Sequence, residues 1–129
     1  MANFVAPESG CNWMGLAGQV FDLNGNPMTG AVIEAGGSLD GQPVQQIVLS
    51  GSSPVVGPGG YVIALTDHPV QSDGTVWFQL LDQDGNPKTG RILLATSDRC
   101  EENLTLINLI EANPVVIQVR LPVIIKPAP

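Results

Sequence analysis

The chain has 129 residues and a formal charge of −7, and its 15 glycines and 11 prolines outnumber its acidic and basic side chains. That length supports one domain with a real core, and no apolar run approaches the roughly 20 residues of a membrane-spanning helix. Eight acidic side chains and no basic one precede Lys88, so the clustered basic residues that a nucleic-acid binder needs are missing.

Residues 1–10 are polar apart from Phe4 and Val5 and are expected as an N-terminal arm. They have neither the basic flank nor the apolar stretch of a signal peptide. Residues 13–22 (WMGLAGQVFD) predict a strand, Asn24 to Pro27 a tight turn, and residues 31–35 the returning strand. Residues 36–43 read as a loop and 44–49 as a strand. Residues 51–60 (GSSPVVGPGG) read as a long flexible connection, and 61–66 (YVIALT) as a strand with Tyr61, Ile63 and Leu65 on one face. Residues 75–82 (TVWFQLLD) predict a strand with Trp77 and Phe78 on opposite faces, and 91–95 another.

Residues 104–110 (LTLINLI) fit a buried strand or a helical turn. The last strand, residues 115–125 (VVIQVRLPVII), puts Val115, Ile117, Val119, Leu121 and Val123 on one apolar face. Pro122 cannot donate to a ladder, which places it at an edge or at the exit from the sheet. The organisation is therefore an arm (1–10), a β domain (11–111) and a C-terminal strand with a Pro-rich tail (112–129). With about eight or nine short strands and no confident helix, the fold class is all-β, an antiparallel β-sandwich.

One stretch occurs twice. Residues 20–33 (VFDLNGNPMTGAVI) recur as 80–93 (LLDQDGNPKTGRIL), with Asp, Gly, Asn, Pro, Thr and Gly at matching positions. The repeat predicts two hairpins of one sandwich. Asp82, Asp84 and Asn86 also space oxygen ligands as the start of a calcium loop does. The glycine falls at the fourth rather than the sixth position and Leu93 stands where the closing Glu belongs, so turn geometry is the stronger reading.

Cys11 and Cys100 are the only cysteines and His68 the only histidine, too few for a zinc site. The two cysteines are expected as a disulfide, which implies an oxidising compartment and an extracellular or cell-surface location. His68 beside Asp67 and Thr66 offers a base with an orienting acid but no identifiable nucleophile. Trp13, Tyr61 and Trp77 could form a stacking platform for sugars, although a core of this size also needs its aromatics. Asn103-Leu104-Thr105 fits the N-glycosylation pattern.

Residues 15–33 (GLAGQVFDLNGNPMTGAVI) resemble the opening of carboxypeptidase-regulatory-like, or transthyretin-like, β-sandwich domains. Gly18, Val20, Asp22, Gly25, Pro27, Gly30, Ala31 and Ile33 occupy the positions of that pattern. Gly60-Tyr61 and Leu65 match the second half of a later element whose Thr-Asp is missing here. The opening around Cys11 and Trp13, the run from Cys100 to Asn108 and the ending from Val119 to Lys126 are also similar to small secreted domains of Chloroflexota-type bacteria. The resemblance implies an Ig-like or transthyretin-like sandwich without catalytic residues of its own, and no cofactor.

The functional expectation is a non-catalytic extracellular structural subunit. Its partners are copies of itself, joined through the strand at 115–125 by pairing or donor-strand exchange into a filament-like assembly. A carbohydrate- or surface-binding module using Trp13, Tyr61 or Trp77 is the alternative. A small hydrolase around His68 is a third.

Overall fold

In the computed structural model, residues 1–110 are described in full and residues 116–120 as backbone. The strands are β1 (Met14–Phe21), β2 (Val32–Leu39), β3 (Gln42–Leu49), β4 (Gly60–Thr66), β5 (Ser72–Leu81), β6 (Ile92–Thr96), β7 (Leu104–Ile110) and β8 (Val116–Arg120). They form two sheets, in the orders β4-β1-β7-β8 and β3-β2-β5-β6. The described residues contain two short 3₁₀ turns, Pro7–Ser9 and Cys100–Glu102, and no α-helix. Leu104–Ile110, for which a helical turn was open on sequence, is a strand. From Ile107 to Ile110 its burial alternates as a half-buried strand requires.

The sheets close on one core. Leu16 and Val20 of β1, Tyr61 and Ile63 of β4, and Ile107 and Leu109 of β7 meet Ile33 and Ala35 of β2, Val76 and Phe78 of β5, and Leu94 of β6. Each fully buried large side chain contributes about 1.5–3 kcal/mol from water exclusion. Trp77 and Phe78 take opposite faces, Phe78 in the core and Trp77 on the outside of the second sheet.

Three sequence expectations are corrected. All-antiparallel pairing fails at β1 and β7, which run parallel from Gly15↔Leu104 to Phe21↔Ile110. These strands are distant in sequence, so no hairpin turn dictates their direction. Residues 20–33 do not form a hairpin either. β1 pairs with β4 and β7, whereas β2 pairs with β3 and β5, so the first copy of the repeat crosses between sheets. The second copy does close a hairpin, β5 against β6.

Residues 36–43 are not a loop but two strand ends joined by the two-residue turn Asp40-Gly41. Both residues have positive φ, 53° and 76°, the combination that joins twisted strands tightly and that Asp-Gly favours. Residues 51–60 are held in successive turns, with the Gly51 and Ser53 amides both donating to the Gly60 carbonyl.

The strand expected at 115–125 is present as β8, in register with β7 of the same chain from Leu106↔Arg120 to Ile110↔Val116. Of the two pairings open on sequence, within the chain or into a neighbour, Val116–Arg120 takes the first. Val115, Leu121 and Val123 lie outside the described residues, as does the Pro-rich tail.

Candidate functional sites

The two repeat turns share one internal design. In each, the Asp side chain accepts two backbone amides: Asp22 from Asn24 and Asn26, and Asp82 from Asp84 and Asn86, all at 2.9 Å. The Asp amide donates to the Asn carbonyl four residues on (2.8 Å in both copies), and Gly25 and Gly85 each adopt positive φ. Oδ1 of Asp82 is therefore committed to its own turn, which explains Asp82 and Asn86 without a cation. Among the described residues no group of three or more His, Cys, Asp or Glu side chains is arranged to hold a metal.

The three aromatics proposed as a sugar platform lie in three separate places, which corrects that expectation. Tyr61 is fully buried between the sheets, its hydroxyl donating to the Ile107 carbonyl at 2.7 Å. Burial without a counter-charge pushes its phenol far above the ordinary range. Trp13 is buried on the outer face of the first sheet, against Ala17 and Leu104 and beneath Met1, Val5 and Ala6. Trp77 is half-buried, and its ring is packed against Gly36 and Arg91. A Cβ at Gly36 would run into the ring, and the Arg91 guanidinium sits 4.0 Å from its centroid.

His68 is exposed and lies between two carboxylates. Its Nδ1 is 2.7 Å from Asp67 Oδ1 and its Nε2 is 3.5 Å from Asp40 Oδ2. Sequence reasoning found Asp67 and missed Asp40, which the β2–β3 turn brings over from far along the chain. The hydrogen bond to Asp67, then the charges of Asp67 and Asp40, raise the imidazole above its usual value. The same hydrogen bond lowers Asp67. The cluster favours imidazolium, and no Ser or Cys contacts His68 among its described partners.

Cys11 and Cys100 form the expected disulfide, with Cα atoms 5.2 Å apart and 89 residues between them in sequence. It ties the N-terminal residues to the start of β7. The arm is docked there as well: the Leu104 amide donates to the Met1 carbonyl, and Asn103 Nδ2 donates to the Gly10 and Trp13 carbonyls. Asn103 is 1% exposed, so the glycosylation pattern falls on an amide already engaged inside the fold. A cleft of about 320 Å³ beside the disulfide is bounded by Ala2, Asn3, Gly10, Cys11, Cys100, Glu101 and Asn103. Among the described residues that bound it, the ionisable side chain is Glu101, which is paired with Arg99.

β8 occupies the outer position of its sheet, with β7 as its strand neighbour. Ile117 and Val119 of the proposed assembly face fall within it. No helix among the described residues is long and apolar enough to cross a membrane. No protein-family model, curated protein or solved structure matches the chain.

Proposed function

We propose that the protein is a non-catalytic structural subunit working outside the cell or at its surface, which associates with copies of itself through its C-terminal strand. Its fold is read as the transthyretin-like sandwich that residues 15–33 resemble. Two stacked sheets around one core support that reading, as does the internal use of both repeat turns. The disulfide fits an oxidising compartment.

The observation that carries the assembly reading is the position of β8. Among the described residues it is an edge strand, and its sequence puts Ile117 and Val119 on one parity and Val116, Gln118 and Arg120 on the other. An edge strand presents unpaired N–H and C=O groups to a partner. Because Val116–Arg120 already pairs with β7, association is read as strand addition at this edge rather than insertion into a neighbour's groove.

The test is the mass in solution, by light scattering, of the full chain and of a chain ending at residue 111. Species above monomer in the first and monomer alone in the second support the reading. The same number of chains per particle in both contradicts it.

A further inference from the structure

Among the described residues the two sheets leave four strand edges, β4 and β8 on one sheet and β3 and β6 on the other. They differ in quality. The β1–β4 ladder shifts register between Met14 and Gly15, and the β5–β6 ladder between Asp73 and Val76. Such irregularities twist an edge and spoil it as a template. The β2–β3 ladder is unbroken over eight residue pairs, from Val32↔Leu49 to Leu39↔Gln42, and the β7–β8 ladder is unbroken as well. The two regular edges are β3 and β8.

β3 lacks the usual protection of an edge. Gln42–Leu49 carries no charged side chain, and Pro43, near its start, is its single residue without an amide hydrogen. Ile47 and Leu49 are 58% and 48% exposed on the outer side of the sheet, a wasteful arrangement for a strand that only faces water.

Position and charge select the partner. β3 and β4 touch each other, so they share one flank of the molecule, and the sheet orders put β8 and β6 on the other. Two compatible edges on opposite flanks cannot meet within one chain but can meet between copies. Charge runs the same way. Asp40 and Asp67, on either side of His68, make the turn that opens β3 an acidic end of that edge. β8 ends at Arg120, with Lys126 beyond it.

We infer that β3 is the acceptor edge for β8 of a second copy, the two strands pairing antiparallel so that Arg120 meets the Asp40 end. A contact between different edges on opposite flanks is heterologous and does not close, so each added copy presents a fresh β3 or β8. This rests on the self-association proposed above and names the surface that receives the strand.

The test introduces a lysine on the exposed side of the β3 edge, Gln45→Lys and Ile47→Lys in separate full-length proteins, with near-ultraviolet circular dichroism to verify folding. Mass is measured by light scattering at low and high salt. The inference expects the wild type to form species above monomer that diminish with salt, and either lysine to abolish them. If the lysine variants assemble like the wild type while the chain ending at residue 111 does not, β3 is not the acceptor and self-association through the C-terminal strand stands. A wild type that is monomeric at every concentration overturns both.

Discussion

The fold depends on a phenol standing in for a backbone donor. The parallel ladder between β1 and β7 pairs Ala17 with Leu106 and resumes at Val20 and Leu109, so Gly18 and Gln19 pair with β4 but have no ladder partner on β7. Two side chains fill the gap: Asn108 Oδ1 accepts from the Gln19 amide at 3.0 Å, and the Tyr61 hydroxyl donates to the Ile107 carbonyl at 2.7 Å. Tyr61→Phe keeps the ring and its packing and removes only the donor, leaving a carbonyl in a site that water does not reach. An orphaned buried acceptor costs about 1–3 kcal/mol, so we expect a loss of about 2 kcal/mol.

With an unfolding entropy of about 2.1 cal/mol/K per residue, the chain has about 0.27 kcal/mol/K at its midpoint. The melting temperature should then fall by about 7 °C. In urea the midpoint should drop with the m-value unchanged, because the same surface is exposed on unfolding. A Tyr61→Phe protein as stable as the wild type would refute the role given to the hydroxyl. Tyr61 is the only tyrosine, so its ionisation is also visible directly by absorbance. Its raised folded value means that stability is full below the ordinary phenol range and is lost as pH rises above it, where only the unfolded chain gives up the proton. Phenolate should therefore appear together with unfolding, not before it.

Four further outcomes follow from the same structure. Replacing Cys11 and Cys100 by Ala opens a loop of 89 residues and should lower stability by about 2–4 kcal/mol in chemical denaturation. Asp82→Ala strips two backbone amides of their acceptor and should cost about 1–2 kcal/mol, whereas Asp82→Asn keeps an acceptor and should cost less. Millimolar calcium should leave the melting temperature of all three proteins unchanged, and a rise in the wild type alone would restore the cation reading. Gly36→Ala places a methyl against the Trp77 ring and should shift the tryptophan emission of a Trp13→Phe background. His68 is the only histidine, and its proton NMR titration should be raised from the ordinary histidine value and move down in Asp40→Asn. Its contribution to stability is present below the ordinary value and fades as pH rises through the raised one.

Local structure was legible in the sequence because its causes are local. Asp-x-x-Gly-Asn-Pro builds the same hydrogen bonds at Asp22 and at Asp82, and both turns were predicted from those residues. The strands expected at residues 44–49, 61–66 and 75–82 are present, each starting at least one residue earlier where a neighbouring strand extends the ladder, and the third ending at Leu81. Sheet membership was not legible. Two nearly identical turns lead in one case across the core to another sheet and in the other back along the same strand. What decides between them is the pairing of β2 with β3 and β5, which the turn residues do not encode. Residues 36–43 misled for a related reason: their Gly and Pro content suggests a loop, but Gly36 makes room for Trp77 and Asp40-Gly41 closes a hairpin.

The candidate sites were less legible than the fold, because they depend on what packs against each side chain. Tyr61 and Trp13 read as possible surface aromatics until the opposite sheet and the N-terminal arm covered them. Asn103 read as a modification site until its amide was found bridging Gly10 and Trp13. Asp40 approaches His68 through a turn that no spacing rule anticipates.

The central claim, open-ended association of copies through a C-terminal edge strand, is met most directly by sedimentation velocity of the full chain over a range of concentrations. We predict a distribution that broadens toward larger species as concentration rises, without stopping at a fixed stoichiometry. A single boundary at the 13.5 kDa of one chain, unchanged with concentration, would contradict it.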